Sequence, residues 1–108
     1  MQMTCEEMDT ALVVRLSGEI IMDAVTECRA EVERLALASA APAVVVDLSA
    51  VAFMDSSGVG FLIGLRRLCQ EHDKTLSLAN PTPAIKKLLA MLRLTDYFAA
   101  PQPGPAGS

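Results

Sequence analysis

One apolar run, followed by a polar turn and a second apolar segment, constrains this 108-residue chain more than any other feature. Residues 43–48 read AVVVDL and predict a β-strand that is either covered on both faces or enclosed by its neighbours. Residues 59–70 (VGFLIGLRRLCQ) carry apolar side chains at helical spacing. The turn between them, residues 53–60 (FMDSSGVG), therefore lies where a strand passes into a helix.

This turn has the composition of a helix start. Asp55, Ser56 and Ser57 carry side-chain oxygens that can accept hydrogen bonds from the unpaired amides of a first helical turn. The same position favours negative charge, because the helix dipole and the converging N–H groups are positive there. We predict that residues 55–58 (DSSG) form the functional site and that the rest of the chain is its scaffold.

Composition narrows the class of protein. With 52% hydrophobic and 4% aromatic residues, the chain can build one aliphatic core. A net charge of −4 argues against direct nucleic-acid binding, which needs a basic face. The chain has neither an apolar run of membrane-spanning length nor a signal-peptide core, so we expect a soluble cytoplasmic protein without membrane insertion. Cys5, Cys28 and Cys69 lack paired short spacing, so they are predicted to be buried, reduced thiols rather than metal ligands.

The N-terminal half predicts two strands and a helix before the apolar run. Residues 11–17 are expected to form a strand, because Leu12, Val14 and Leu16 share one face. Residues 1–8 are expected to form the strand before it, and the two successive strands a hairpin. Asp23 is predicted to be the N-cap of a helix that runs to about residue 38.

The C-terminal half predicts a strand, a helix and a tail. Residues 75–79 are expected to form the strand, and Thr82 to cap a helix that begins at Pro83. Residues 94–98 would add a short edge element, and the Pro/Gly-rich residues 99–108 predict a disordered tail. The order β-β-α-β-α-β-α over residues 1–98 predicts a single α/β domain. Its mixed sheet would have four to five strands, with the helices mainly on one face.

Four segments resemble the STAS domain of bacterial anti-sigma factor antagonists, and their order and spacing fit across roughly residues 4 to 98. The most specific segment is the DSSGVG turn. The four are residues 15–20 (RLSGEI), 45–48 (VVDL), 53–60 (FMDSSGVG) and 83–89 (PAIKKLL).

The resemblance implies partner switching without enzymatic activity, cofactor or metal. The unphosphorylated antagonist would bind an anti-sigma factor that is also a serine kinase, and so free a sigma factor. Phosphorylation would dissociate the complex, and a serine phosphatase would reverse it. In the family motif the phosphorylated serine directly follows the aspartate, which corresponds to Ser56, with Ser57 as the second choice. The expected partner-binding residues are Asp55, Ser56, Ser57, Gly58, Val59, Gly60, Ile63 and Arg67.

The chain departs from the family at two places. Ile21 stands where the family commonly has Asp after its Gly-Glu-Leu/Ile element, so a docking loop at this position would be altered. The family also usually continues into a further C-terminal helix, which is expected here to be absent or cut short.

The sequence leaves alternative roles open for several residues of the turn and the helix. Asp55 could orient the serine hydroxyl or meet a basic partner residue, or it could be a capping acid. Gly58 and Gly60 could shape the turn and admit a partner backbone, or they could pack against the sheet. Val59 and Ile63 are placed on the outward face of the helix, where they either dock a partner or lie under a neighbouring element.

Further residues on this helix are assigned structural or solvated roles. Arg66 and Arg67 continue the outward face and are expected to be solvated. Without the family resemblance, the position of Ser56 and Ser57 would indicate only helix caps. Ser56 and His72 do not suit a catalytic triad, because 16 residues of helix separate them, roughly 24 Å. Ile63 occupies the third glycine place of a dinucleotide-binding loop, which argues against that function.

A second function belongs to a different class. Similar small STAS proteins serve as accessory subunits of lipid-transport ATPases, where the domain would bind constitutively and need no phosphate cycle. The serine pair favours the switch, because a transport subunit need not keep phosphorylatable serines at the turn.

Overall fold

A computed structural model of the chain describes residues 2–99, and the predicted α/β class is confirmed. The predicted tail lies outside the described residues from residue 100 onward, and Ala99 is the last residue of a helix. The strands are β1 (Gln2–Glu7), β2 (Ala11–Ile20), β3 (Ala43–Met54) and β4 (Thr75–Ala79). The helices are α1 (Met22–Ala38), α2 (Ser56–Glu71), α3 (Pro83–Met91) and α4 (Thr95–Ala99).

The sheet is mixed and its strand order is β1-β2-β3-β4. β1 and β2 form the predicted antiparallel hairpin, with Cys5 opposite Val14. β2, β3 and β4 run parallel, and Val46 lies between Val14 and Leu78. Parallel neighbours need long crossover connections, which α1 and α2 provide. The carboxyl ends of the three parallel strands therefore meet at one edge of the sheet, next to the turn that begins α2.

Only one face of the sheet is covered by helices. Along β3, Val44, Val46 and Leu48 are fully buried, whereas Val45 and Asp47 between them are half-buried. Side chains alternate between the two faces of a strand, so the helices pack on one face, as predicted. Of the two readings of residues 43–48, enclosure by neighbouring strands is the one observed.

The open face carries a line of charges across three strands. Arg15 on β2 pairs with Glu6 on β1 at 3.1 Å and with Asp47 on β3 at 3.8 Å. The Asp47 carboxylate also accepts a hydrogen bond from Ser49 N at 2.9 Å, which lowers the pKa of Asp47 below its usual range. This face is therefore polar near its centre.

β3 is longer than its apolar run. Residues 49–54 continue the pairing with β2 until Met54 lies opposite Ile20, with irregular register between Arg15 and Ser17 and between Gly18 and Glu19. Gly18 has a φ of 86°, a conformation that favours glycine at a bulge. The extension places the start of α2 beside the end of β2.

The helix starts agree with the sequence at α3 and differ at α1. Thr82 caps α3 as predicted, because its Oγ1 accepts from Ile85 N at 3.4 Å. The prediction of Asp23 as the cap of α1 is wrong. The helix begins two residues earlier, with Ile21 at the N-cap and no side-chain cap hydrogen bond. Asp23 lies in the first turn, where its charge still favours the helix dipole.

The short segment after α3 forms a helix instead of a sheet-edge element. In α4, Phe98 is buried in the core and Tyr97 is half-buried against α2. The further C-terminal helix, expected after Phe98 to be absent or cut short, would lie outside the described residues from residue 100 onward.

The cysteines differ from their predicted burial. Cys69 on α2 is buried, Cys28 on α1 is half-buried and Cys5 is exposed. Cys5 is exposed because β1 is an edge strand whose side chains are almost all accessible.

Candidate functional site

Asp55 is the N-cap of α2. Its backbone is extended, with φ −96° and ψ −173°, and its Oδ1 accepts hydrogen bonds from Ser57 N at 2.9 Å and Gly58 N at 3.1 Å. The Asp55 amide in turn donates to the carbonyl of Ile20 at 3.2 Å, which fixes the turn to the end of β2. The capping role left open by the sequence is therefore observed for Asp55.

The two serines that follow are not the caps. Ser56 is the first residue of α2 and is exposed, whereas Ser57 is half-buried. Within residues 2–99 neither hydroxyl makes a hydrogen bond, because Asp55 already accepts from the amides of Ser57 and Gly58. Ser56 therefore presents a free hydroxyl to solvent at a helix N-terminus.

The two glycines of the turn have different surroundings. A Cβ on Gly58 would clash with the Met54 side chain and would lie 2.8 Å from the Ile20 carbonyl oxygen. Gly58 is thus required by the close packing of α2 against the ends of β2 and β3. A Cβ on Gly60 would meet nothing within 4 Å. Packing explains Gly58 and gives no reason for Gly60.

The placement of Val59 on the outward face of α2 is wrong. Val59 is 5% exposed and belongs to the hydrophobic core. Gly58 is buried as well, so neither residue offers a side chain to a partner. Arg66, expected to be solvated, is 6% exposed because the ring of Tyr97 lies over its guanidinium. α2 buries a wider arc than a single stripe, since α1 packs on one flank and α4 covers Arg66.

A different line of residues on α2 reaches the surface. Ser56, Gly60 and Arg67 are exposed, and Ile63 between them is half-buried. Their separations of four, three and four residues put them on one face of a helix. We call these four residues the α2 strip. It contains four of the predicted partner-binding residues and begins at the serine with the free hydroxyl.

Large apolar side chains are exposed near the same edge of the sheet. Phe53 is 50% exposed, Met22 is 65% exposed and Met91 is 72% exposed. The sequence analysis did not single out these three residues. A signal existed for Met91, because it falls outside the buried stripe of α3 that contains Ile85 and Leu89.

The described residues do not assemble the catalytic arrangement considered from the sequence. His72 lies at the C-cap of α2, at the opposite end from Ser56, and its Nδ1 contacts the carbonyl of Leu68 at 3.0 Å. Within residues 2–99 no helix combines the length and the apolar character needed to cross a membrane.

The STAS domain family model matches residues 2–104. The chain belongs to the STAS domain family. This STAS domain is 32% identical, over 87 residues, to an anti-sigma F factor antagonist from Lysinibacillus sphaericus, and the match covers 81% of this chain and 74% of the relative. The relationship inferred from the DSSGVG turn is thereby confirmed.

Solved structures agree with the sequence relationship. The anti-sigma factor antagonist SpoIIAA in its unphosphorylated form superposes with a TM-score of 0.74 at 29% identity, covering 86% of this chain and 82% of that one. The Bacillus cell fate determinant SpoIIAA in the phosphorylated form gives a TM-score of 0.69 at 29% identity, with coverages of 86% and 85%. The predicted fold is therefore that of the antagonists.

Proposed function

We propose that this STAS domain is an anti-sigma factor antagonist that is switched by phosphorylation of Ser56. The unphosphorylated chain binds an anti-sigma factor that is also a serine kinase, and so frees a sigma factor. Phosphorylation releases the chain, and a serine phosphatase restores it. The observation that carries the proposal is the exposed Ser56 hydroxyl, which is free of hydrogen bonds within residues 2–99 because Asp55 is the cap. The antagonist relatives support the proposal, since one of them is known in both phosphorylation states.

Ser56 is a better kinase substrate than Ser57. A kinase must bring its phosphoryl donor in line with the attacking hydroxyl, which requires access from solvent. Ser56 is exposed at the first position of α2, and Ser57 is half-buried one residue further into the helix. Ser57 therefore remains the second choice.

A phosphate on Ser56 would change the interface more than the fold. It adds about −1.5 to −2 charges at neutral pH, directly beside the carboxylate of Asp55. The amides of Ser57 and Gly58 already donate to Asp55, so they are not available to the phosphate. The added charge therefore stays at the surface, where it repels a partner that packs on the turn.

The rest of the α2 strip suits a close protein contact. Gly60 has open space where a Cβ would be, so a partner backbone can approach the helix there. Ile63 and Arg67 extend the strip with one apolar and one cationic side chain. A partner seated on the strip would lie next to Ser56 and would sense its phosphate.

The test is a pull-down from lysate of the native cell with four baits: Ser56→Ala, Ser56→Asp, Ser57→Ala and Ser57→Asp. We expect mass spectrometry to find an anti-sigma-type serine kinase on the Ser56→Ala bait and to find it depleted on the Ser56→Asp bait. The two Ser57 baits serve as the matched control and should both retain the kinase.

Two outcomes would overturn the proposal. Equal recovery of the kinase on both Ser56 baits would exclude a charge switch at this residue. Recovery of lipid-transport ATPase subunits on all four baits would instead assign the domain as a constitutive accessory subunit, with Ser56 as an ordinary first residue of α2.

A further inference from the structure

A groove lies between the end of β3 and α3, immediately before the turn. Its volume is about 280 Å³, and Phe53 and Met91 stand at its edges. Met54 contributes to its lining and also packs against Gly58 in the first turn of α2. The groove is therefore continuous with the turn that carries Ser56. We call it the α3 groove, lined by Phe53, Met54, Ala84, Ile85, Lys87, Leu88 and Met91.

The edges of the α3 groove leave apolar surface in water. Phe53 and Met91 are 50% and 72% exposed, and they are the large apolar side chains of the groove that are exposed. Contiguous exposed apolar surface on a small domain is characteristic of an interaction site. An aromatic ring and a flexible methionine side chain that line one groove are well suited to enclose an inserted apolar side chain.

The charge beside the groove is opposite to that of the whole chain. Residues 83–94 contain Lys86, Lys87 and Arg93 and no Asp or Glu, although the chain has a net charge of −4. All three cations are exposed, and Lys87 lines the groove. Within residues 2–99 none of the three takes part in an ion pair. The groove therefore combines an apolar floor with unpaired positive charge at its edge.

We infer that the α3 groove is the docking site for an acidic amphipathic helix of a protein partner. One apolar side chain of that helix inserts between Phe53 and Met91, and its carboxylates face Lys87, the cation that lines the groove. A concave site favours a protruding side chain over a flat lipid surface, which is why a helix is the occupant. The inference rests on the proposed function in one respect: the partner that docks in the groove is the same protein that covers Ser56.

The inference can be tested with synthetic peptides on the full chain labelled with ¹³C at its methionine methyl groups. One peptide is a stapled helix of leucine and glutamate, with leucines at i, i+3, i+4 and i+7 spacing. Its counterpart carries lysine in place of every glutamate. The acidic peptide should shift the methyl signals of Met54 and Met91 and leave that of Met8 unchanged. Met8 is exposed and lies in the β1–β2 turn at the other edge of the sheet.

The charge requirement has its own control. We expect the lysine peptide to bind at least about tenfold more weakly than the acidic one. Lys87→Glu should weaken binding of the acidic peptide, whereas Arg34→Glu on α1 makes the same change in net charge and should not. Equal affinities for the two peptides, equal effects of the two variants, or a Met8 shift as large as that of Met91 would overturn the inference.

Two further outcomes distinguish the protein partner from a membrane, and the groove from the phosphorylation switch. In the first, phosphatidylglycerol vesicles broaden the Met91 signal and neither peptide changes it. This result would assign the groove to a membrane surface and overturn the inference of a protein partner. The titration does not involve Ser56. Acidic-helix binding combined with equal recovery on the two Ser56 baits would therefore reject the phosphorylation switch and keep the groove.

Discussion

The Arg66 guanidinium lies 4.2 Å from the centre of the Tyr97 ring, so a cation on α2 stacks on an aromatic side chain of α4. Arg66 is 6% exposed, and within residues 2–99 its Nε has no hydrogen-bond partner. It also has no carboxylate partner in that part of the chain. A buried cation without a counter-ion lowers stability unless other groups compensate, and here the ring supplies that compensation.

Replacing the two partners should have unequal effects on the free energy of unfolding. Arg66→Met keeps an apolar stem and removes the buried charge, so we expect it to leave stability unchanged or to raise it. Tyr97→Leu removes the ring and leaves the cation buried, and should cost about 1–3 kcal/mol. Urea unfolding of the single and double variants measures both. Tyr97→Leu is compared in two backgrounds, the unsubstituted chain and Arg66→Met. If it lowers the free energy of unfolding equally in both, the two residues are not coupled.

Alanine at the two glycines of the turn should change stability in opposite directions. Gly58→Ala forces a methyl group against Met54 and the Ile20 carbonyl, which should destabilise the fold by about 1–3 kcal/mol. Gly60→Ala enters open space and should stabilise α2 by up to about 1 kcal/mol. Thermal unfolding of both variants is the measurement. If Gly60→Ala destabilised the fold, the space around it would not be open, and the argument for a close partner approach at Gly60 would fail.

The cap of α1 offers a test of the family departure at Ile21. An aspartate at this N-cap can accept from the amides of the first turn, which the isoleucine cannot do. Comparison with Ile21→Ala removes the effect of losing the isoleucine side chain. We expect Ile21→Asp to be more stable than Ile21→Ala by about 1 kcal/mol in urea unfolding. Equal stabilities would indicate that the capping geometry of α1 does not form in solution.

Alkaline pH should destabilise the chain through Cys69. Burial raises the pKa of its thiol to about 11, despite the nearby charge of Lys74. Because the folded pKa is the higher one, this contribution to stability is complete below the unfolded pKa of about 8.5 and is lost as pH rises towards the folded value. We expect the urea midpoint of Cys69→Ala to change less with pH than that of the unsubstituted chain between about pH 8 and 10. An unchanged slope in Cys69→Ala would contradict this assignment.

Local patterns predicted the fold because their causes are local. The alternation of residues 11–17, the apolar run of residues 43–48 and the Thr82-Pro83 start each fix the backbone within a few residues. The sequence left the role of Asp55 open, and the structure shows it as the cap of α2, which is a local role that an acid before a helix can take. The strand-to-helix turn was therefore placed correctly, and its role as the functional site stays a prediction.

The missed features depend on contacts between distant segments. Val59 and Arg66 are buried because α2 is enclosed on both flanks, and the covering helix α4 was not predicted as a helix. An arginine stem also packs as readily as an apolar side chain, so its charge misleads a pattern analysis. The extension of β3 to Met54 required the bulged pairing with β2, which no local motif encodes.

The charges on the open face of the sheet bear on how the molecule behaves at high concentration. An uncovered sheet is a surface on which a second sheet could stack. Two copies packed face to face would have to remove Arg15, Glu6 and Asp47 from water, at a desolvation cost that their 3.1 and 3.8 Å contacts do not recover. The charged line across three strands thus protects the chain from stacking on itself through the open face of its sheet.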